Sequence, residues 1–331
     1  TEPLMDAVIR PLYGAYAALD TARRARGTLD LDIPEKKILV DADGNVTGVQ
    51  VRERFDSHKL IEEFMILANV AAAEALEAKQ QPVAYRVHDE PSLEKLEALR
   101  TTLQTVGIRL AKGQVLQPKH FMRILEQAEN LPAREMVHQM VLRTQAQAQY
   151  DFANIGHFGL ALRRYAHFTS PIRRYADLLV HRALIRALGL GDDGLTDRDI
   201  AQMKDTAERI TGTERRSMAA ERDATDRYVA AFLSDRVGAE FAGRITGVTR
   251  FGLFIRLDET GADGLVPVAS LGGEFFVHDD KAHALVGERT GRRWPLGMRV
   301  QVELKEATPI TGGLLFEMVS DPLPVDPTAP R

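Results

Sequence analysis

The sequence predicts an α+β protein in which a helix-rich part is followed by a small antiparallel β-barrel. Up to Leu233, apolar residues recur at three- and four-residue spacing, which is typical of amphipathic helices. From Val237 onward they alternate and are punctuated by glycine, and several short strands in roughly 80 residues indicate a small barrel. We therefore divide the chain into domains at 1–234 and 235–321, followed by a proline-rich tail at 322–331 that we expect to be disordered.

The composition is that of an ordinary globular protein. Hydrophobic residues make up 44% and charged residues 27% of the 331 residues, which is enough for a substantial core. The chain has no cysteine, so disulfides and thiolate metal sites are excluded and a reducing compartment is favoured. No apolar run approaches the roughly 20 residues that cross a bilayer, and the first residues form no signal peptide. We expect a cytoplasmic protein with no membrane partner.

Charge is distributed unevenly along the chain. The net charge is −4, which argues against a protein that coats nucleic acid with its whole surface. Between Arg134 and Arg186, however, eight arginines stand against three acidic residues, so this stretch carries +5. The contrast predicts a basic passage inside an acidic body.

The first elements are a helix and a hairpin. Leu4, Val8, Leu12, Tyr16 and Leu19 fall on one helical face. Because this pattern starts at once and without a methionine, we expect an internal starting point in a longer protein.

Two strand patterns, 37–40 and 46–51, then flank an Asp-rich segment, Asp41–Asn45, and predict a β-hairpin. A calcium loop counted from Asp41 would need glycine at its sixth position and glutamate at its twelfth, so we interpret the segment as a turn.

Further helices are predicted up to the central motif. Residues 58–76 form a helix that is apolar over most of its circumference and should be buried. A short extended segment at 85–92 leads to helices at 93–105, 120–128 and 134–149.

The central motif, residues 167–182, contains two adjacent arginines at a predicted helix start. Ser170 is a suitable N-cap and Pro171 suits the first helical position. Arg173 and Arg174 then lie where the helix dipole is already positive, so an anion such as a phosphate is expected opposite them. The alternative is a surface ion pair between Arg173 and Asp177, which are four residues apart.

An aspartate cluster follows at 192–199, and we consider it as a metal site. Thr196 and Asp199 have the spacing of a capping box, and Gly191 and Gly194 mark a loop. We favour a loop and a cap that open a helix running to about Leu233.

The segments His157–Leu162 and Tyr165–Tyr175, with Asp177 and His181–Arg182, closely resemble the ribonuclease II/ribonuclease R (RNB) family of exoribonucleases, ribonuclease R most of all. The resemblance implies that Arg173 contacts the phosphate near the scissile bond. It also implies RNA contacts from His167, Ser170, Arg174 and Tyr175.

In the family, a glutamate of the 58–76 helix lies beside the 3'-terminal nucleotide, where it can accept a hydrogen bond from a ribose hydroxyl. Glu62 and Glu63 are equal candidates here, and Asn69 is either a structural amide or part of the site.

The Phe-Gly-x-Phe strand at 251–254 and the Gly-Leu-Val-Pro segment at 264–267 resemble an S1 domain, which has an oligonucleotide-binding (OB) fold. Phe251 and Phe254 would stack on RNA bases, with Arg256 and His278 nearby. Because their odd separation places them on opposite faces of a regular strand, one phenylalanine could instead belong to the core. Phe275 and Phe276 leave the same choice open.

The family hydrolyses RNA with Mg²⁺ held by closely spaced aspartates near the start of its catalytic domain, and no such run precedes the central motif here. We therefore expect no metal ligands in this chain. The resemblance implies the C-terminal portion of a processive 3'-to-5' exoribonuclease that degrades single-stranded RNA to nucleoside 5'-monophosphates, as a monomer or associated with the missing N-terminal part.

Two alternatives remain open. One is a non-catalytic RNA-binding or adaptor protein built from the RNA channel and the S1 domain, which the upstream reading frame would distinguish. The other is a metal phosphodiesterase that uses Asp192, Asp193, Asp197 and Asp199.

Overall fold

The computed structural model describes residues 2–30, 36–51, 53–113, 116–131, 133–280 and 282–323. The predicted order, helices first and a barrel last, is confirmed. The helices are α1 (Arg10–Arg26), α2 (Asp56–Ala78), α3 (Leu93–Thr105), α4 (Pro118–Ala128), α5 (Arg134–Thr144), α6 (Tyr175–Leu188), α7 (Asp197–Ala201) and α8 (Met203–Leu233). Most of the predicted disordered tail, from 324 on, lies outside the described residues. Among the described helices, none has the length and apolar character needed to cross a bilayer.

The strands form one barrel and three smaller sheets. They are β1 (Lys36–Val40), β2 (Val46–Val51), β3 (Tyr85–Val87), β4 (Gln149–Asp151), β5 (Glu240–Thr249), β6 (Gly252–Leu257), β7 (Asp263–Pro267), β8 (Phe276–Asp279), β9 (Ala284–Gly287), β10 (Arg293–Pro295), β11 (Arg299–Thr308) and β12 (Gly313–Met318). β1 and β2 pair as the predicted hairpin. Asp41 accepts backbone N–H groups from Asp43 and Asn45, so the segment between these strands is a turn, as predicted.

The helix at the start of the chain is confirmed, but its apolar face is not covered. A 3₁₀ turn at Glu2–Leu4 and a π-helical segment at Met5–Ile9 lead into α1, and none of these elements has a buried residue. Gly27 ends α1 in the left-handed conformation, with φ +78°. A side chain at this position would place its Cβ 2.7 Å from the Cβ of Lys119, so glycine allows α1 to lie close to α4.

Helix α2 is buried on one face only, so the prediction that most of its circumference is buried is wrong. Ala73 and Leu76 join a core cluster with Tyr85 of β3 and Val180 of α6. The opposite face leaves Ile61 and Leu67 exposed, among other side chains. The described neighbours of α2 therefore cover the side that faces β3 and α6.

Helix α5 ends at Thr144, five residues before the predicted end at Gln149. Gln145 has an extended backbone, and β4 then pairs antiparallel with β3, with Tyr150 opposite Arg86. The pairing partner of β4 is more than 60 residues away in sequence. Local periodicity could not reveal it.

The last part of the chain forms a closed barrel with the strand order β11-β12-β7-β6-β5. The prediction of several short strands in this part of the chain is confirmed. The contact between β12 and β7 is parallel, whereas the other barrel pairs are antiparallel. A separate sheet of β8, β9 and β10, which the sequence did not predict, lies between β7 and β11 in the chain.

The barrel packs directly on the helical part. Leu99 of α3 and Phe121 of α4 share one core cluster with Leu253, Trp294 and Val302 of the barrel region. At the same junction, Nη2 of Arg143 on α5 donates to the carbonyl oxygen of Thr246 on β5 at 2.6 Å. The shared core holds the barrel against α3, α4 and α5.

Gly252 at the start of β6 should be essential for barrel stability. Its φ is +152°, and a Cβ would collide with the carbonyl oxygen of Val266. We expect Gly252→Ala to lower the free energy of unfolding by about 2 kcal/mol or more, measured by urea denaturation. Gly273→Ala is the matched control because open space surrounds its Cβ position. A loss in the control as large as that in Gly252→Ala would contradict the steric explanation.

Candidate functional site

The central motif contains a turn where a helix start was predicted. The carbonyl oxygen of Ser170 accepts the backbone N–H groups of Arg173 and Arg174 at 3.3 and 3.1 Å. Helix α6 begins only at Tyr175, with Arg174 as its N-cap. The predicted helix start at Ser170 and Pro171 is therefore wrong, and the two arginines precede the first helical turn.

A buried carboxylate fixes this turn. Asp177, in the first turn of α6, is completely inaccessible to solvent. Its Oδ1 accepts the N–H of Ser170 at 2.7 Å and Nη2 of Arg174 at 2.8 Å. The negative charge expected near this helix end is thus supplied within the chain. The alternative pair between Arg173 and Asp177 is wrong, because Arg174 occupies the carboxylate.

Arg173 points the other way. Its side chain is exposed, and within the described residues no carboxylate forms an ion pair with it. Ile172 beside it is fully exposed and Tyr175 is half exposed. The turn therefore places the Arg174 side chain against the buried Asp177 and leaves the Arg173 side chain in solvent. Arg173 is thus accessible to an external anion.

Behind Arg173 lies a cluster of histidines and tyrosines. The ring of Tyr165 stands edge-on to His157 at 5.4 Å and to His167 at 5.6 Å. The hydroxyl of Tyr150 lies 2.9 Å from Nδ1 of His167. Burial, helped by the positive charges of Arg174 and Arg86, lowers the pKa of His167 to about 2. His167 is therefore neutral at physiological pH.

The second histidine of the cluster is also neutral. Burial, with a smaller effect from His88, lowers the pKa of His157 to about 3. Burial likewise raises the pKa of Tyr150 to about 12. With these rings neutral, the charge of this region comes from its arginines and carboxylates.

Arg86 and His88, in the extended segment predicted at 85–92, support this cluster. The Arg86 guanidinium lies 4.7 Å from the centroid of the Tyr150 ring, and its Nη1 lies 2.6 Å from Oε2 of Glu214 on α8. Nδ1 of His88 accepts the N–H of Gly159 at 2.8 Å. Tyr150 was not predicted as part of this cluster. Tyr150 reaches this cluster through the pairing of β4 with β3, which no local sequence signal indicates.

The two glutamates of α2 have different surroundings. Oε1 of Glu63 lies 2.6 Å from Nη1 of Arg23, and only 6% of the Glu63 side chain is exposed. Glu62 keeps 41% of its side chain exposed, with Oε2 2.7 Å from Nη2 of Arg54 and Oε1 3.7 Å from Nη1 of Arg23. Burial raises the pKa of Tyr165, and the negative charge of Glu62 adds to this. Glu62 therefore faces the cluster with accessible oxygens, while Glu63 completes an internal ion pair.

Asn69 makes the contacts of a structural amide, the first of the two alternatives. It is buried, its Nδ2 donates to the Tyr165 hydroxyl at 3.0 Å, and its Oδ1 accepts the N–H of Phe168 at 2.8 Å. His181 stacks on the Phe168 ring at 4.3 Å. These contacts tie α2 and α6 to the strand-like segment that carries His167.

The aspartate cluster is a loop and a capping box, as favoured. Oγ1 of Thr196 accepts the N–H of Asp199 at 3.2 Å, and Oδ2 of Asp199 accepts the N–H of Thr196 at 2.8 Å. Arg182 and Arg186 form ion pairs with Asp199 and Asp197. The described residues contain no group of three or more metal-ligating side chains with suitable geometry. The cluster does not fit Mg²⁺, because two of its aspartates are already engaged by arginine.

Both phenylalanines of the barrel motif are exposed, Phe251 by 64% and Phe254 by 43%. The alternative that one belongs to the core is wrong, because Phe251 lies in the β5–β6 turn and only Phe254 follows the alternation of β6. The Arg250 guanidinium lies 4.8 Å from the Phe251 ring centroid, a contact that the sequence analysis missed. In the second pair of phenylalanines, by contrast, Phe275 is exposed and Phe276 is buried.

Arg256 and His278, the other two predicted RNA-binding residues of the barrel region, lie on different sheets. Arg256 shares the outer face of β6 with Phe254, and its Nε lies 2.9 Å from Oδ1 of Asp263. His278 lies instead on the β8–β10 sheet, in a cleft of about 590 Å³ lined also by Asp279, Asp280 and Glu288. Its Nδ1 is 3.3 Å from Oδ1 of Asp280. That acidic cleft is a poor surface for a polyanion.

Comparison with known proteins identifies the class. A model of the RNB domain matches residues 1–189, and a model of the S1 RNA binding domain matches residues 234–290. The chain therefore belongs to the RNB family, as the sequence resemblance predicted. Among its relatives is ribonuclease R of Escherichia coli strain K12, 38% identical over 320 residues, which cover 94% of this chain and 39% of the relative.

A second relative and a solved structure support membership of the same family. Ribonuclease R of Aquifex aeolicus is 39% identical over 311 residues, which cover 94% of this chain and 44% of that protein. The solved structure of Mycoplasma genitalium RNase R in complex with ribose methylated single-stranded RNA superposes with a TM-score of 0.89 at 28% identity, covering 96% of this chain and 50% of that one. The chain spans half or less of the length of each of these relatives.

Asp177 should be critical for stability. Its removal leaves the Arg174 charge largely buried without its carboxylate partner and leaves the N–H of Ser170 without its acceptor. We expect Asp177→Ala to lower the free energy of unfolding by about 3–5 kcal/mol in urea denaturation. Asp192→Ala, at an exposed loop position, should change it by less than about 0.5 kcal/mol. Equal effects of the two substitutions would contradict the role of Asp177.

Stability should fall in mild acid because His157 and His167 stay neutral in the fold. Their folded pKa values, about 3 and about 2, are below the unfolded value. As the pH falls below about 6.5, only the unfolded chain takes up these protons, so folding loses about 1.3 kcal/mol per histidine between pH 7 and pH 5.5. Urea denaturation at both pH values measures this loss. His167→Gln should show a smaller loss by that amount, and an unchanged pH dependence would refute the assignment.

Proposed function

We propose that this chain is the RNA-gripping C-terminal portion of a ribonuclease R-like, processive 3'-to-5' exoribonuclease that acts on single-stranded RNA and releases nucleoside 5'-monophosphates. The observation that carries the proposal is the exposed Arg173, which projects from a turn held by the buried Asp177 inside the region that matches the RNB domain. A free guanidinium is suited to a phosphate oxygen, because its fork of N–H donors matches that group.

In this proposal, Arg173 stabilises the charge that develops on the phosphate next to the cleaved bond. Arg174 contributes indirectly, since its guanidinium is occupied by Asp177. His167, Ser170 and Tyr175 line the approach, and their direct contacts with RNA stay predictions.

Glu62, rather than Glu63, is the carboxylate proposed to receive the ribose hydroxyl of the 3'-terminal nucleotide. Its side chain is partly exposed, whereas Glu63 is buried against Arg23. A carboxylate has about four lone pairs, so the ion pairs of Glu62 with Arg54 and, at 3.7 Å, with Arg23 leave it able to accept a further hydrogen bond. Recognition of that hydroxyl would favour RNA over DNA.

Hydrolysis itself is proposed to need more than these 331 residues. The named ribonuclease R relatives are more than twice as long as the region they share with this chain. Two of the four aspartates that cluster at 192–199, Asp197 and Asp199, are engaged by arginines, and Asp199 also forms a helix cap. We therefore assign the Mg²⁺ ligands to the part of the enzyme that is not in this chain and derive no step through the metal.

We propose that the chain consists of two domains, at 1–234 and 235–321. The S1 barrel of the second domain is proposed to hold single-stranded RNA with Phe251 and Phe254 on the way to Arg173. A monomeric state and a cytoplasmic location complete the proposal.

Hydrolysis can be tested with 5'-labelled single-stranded RNA and Mg²⁺. We expect the 331-residue chain to bind the RNA without shortening the labelled strand. Shortening at the rate of a full-length ribonuclease R, measured in parallel, would refute the claim that the catalytic carboxylates lie elsewhere.

Arg173→Ala should weaken RNA binding by this chain. Loss of one phosphate contact should lower the affinity about fivefold at 0.1 M salt and reduce the slope of log K against log salt by about 0.7. Fluorescence anisotropy with labelled single-stranded RNA over a salt series measures both. Arg198→Ala is the matched control, because Arg198 is exposed on α7 and has no assigned role. The assignment of Arg173 is wrong if the two variants behave alike.

A further inference from the structure

Three arginines form a row across neighbouring strands of the barrel. In the strand register, Arg299 of β11 is directly opposite Arg244 of β5, and Arg244 is directly opposite Arg256 of β6. The row ends at Asp263 of β7, which is opposite Arg256. Because neighbouring strands lie about 4.8 Å apart, the outer two arginine positions are about 10 Å apart.

All three side chains start from the outside of the barrel. The residues that flank them along the strands, including Ile245, Ile255 and Val300, are buried in the barrel core. Arg256 and Arg299 are exposed and Arg244 is half-buried. The row is therefore a continuous feature of the outer surface rather than a set of unrelated positions.

This arrangement is unfavourable for the isolated barrel. Like charges directly opposite each other on paired strands destabilise a sheet. Only Arg256 has a compensating ion pair, with Nε 2.9 Å from Oδ1 of Asp263. Within the described residues, no carboxylate forms an ion pair with Arg244 or Arg299. Arg244 and Arg299, two opposed cations without an internal anion, are therefore suited to an external anion.

The row is continuous with the aromatic surface. Phe254 and Arg256 are two residues apart on the same face of β6. On β5, Thr246 follows Arg244 by two residues, and its carbonyl oxygen accepts a hydrogen bond from the exposed Arg143 of α5. Phe254 and the Arg143 contact therefore lie on the same side of the row, toward the β5–β6 turn.

We propose that Arg244 and Arg299, with Arg256, form a phosphate-binding row that holds the sugar-phosphate backbone of RNA whose bases stack on Phe251 and Phe254. This inference rests on the proposed RNA-binding function. It extends the RNA surface from β6 across β5 to β11, where neither the sequence motifs nor the aromatic residues place it. The polyanion supplies the negative charges that Arg244 and Arg299 lack, while Arg256 already has Asp263 as its partner.

Arg299→Glu tests the row because it should change stability and binding in opposite directions. A glutamate opposite Arg244 replaces a repulsion with an ion pair, so the midpoint of urea unfolding should rise. Affinity for single-stranded RNA should fall at least fivefold at 0.1 M salt, with a shallower salt dependence. Arg292→Glu is the matched control, since it makes the same charge change at an exposed position of the β9–β10 turn.

The outcomes are distinct. If Phe254→Ala weakens RNA binding while Arg299→Glu and Arg292→Glu have equal effects, the row is refuted and the proposed function stands. If the unchanged chain binds no RNA, both are refuted. A polyglutamate probe identifies the anion: a loss of polyglutamate binding in Arg299→Glu, with RNA binding equal to that of Arg292→Glu, would assign the row to an acidic protein segment and overturn the proposal.

Discussion

The hydrogen bonds of the buried Asp177 carboxylate determine the geometry of the central motif. One oxygen holds the backbone of Ser170 and the guanidinium of Arg174 at once, so the turn between them closes and α6 starts after it. A completely buried carboxylate is costly unless it is paired and hydrogen-bonded, and here both conditions are met. Because Arg174 satisfies that charge, Arg173 is left free at the surface. The same interaction therefore stabilises the fold and creates the candidate site.

Pairing divides the arginines of this protein into two kinds. Arg23, Arg86 and Arg174 form short ion pairs with carboxylates of other elements or of the next turn, and they hold α1, β3 and α6 in place. Arg173 and Arg299 are exposed, and the described carboxylates leave both without an ion pair. A guanidinium that remains uncompensated next to an aromatic cluster or in a row of like charges gains most from a polyanion. The net negative charge of the chain does not prevent this, because the uncompensated cations are concentrated locally.

Prediction from sequence succeeded where a pattern is local. The hairpin turn at Asp41 and the capping box of Thr196 each depend on residues within a few positions, and both are confirmed. Prediction from sequence failed where a contact with a residue distant in sequence determines where a helix begins or ends. Helix α5 stops short of Gln149 because β4 pairs with β3, and α6 starts late because a buried acid competes for the backbone of Ser170. Local helix propensity contains no information about such long-range contacts.

The sequence by itself determined the family, the order of helices and barrel, and the candidate residues Arg173, Phe251 and Phe254, because these depend on motifs and on periodicity. Only the tertiary structure decided which arginine of the central pair is free, and that Glu62 rather than Glu63 is accessible. Neighbouring residues have nearly the same local signal, and burial against distant elements is what separates them. The arginine row has the same origin, since strand register exists only after the barrel has closed.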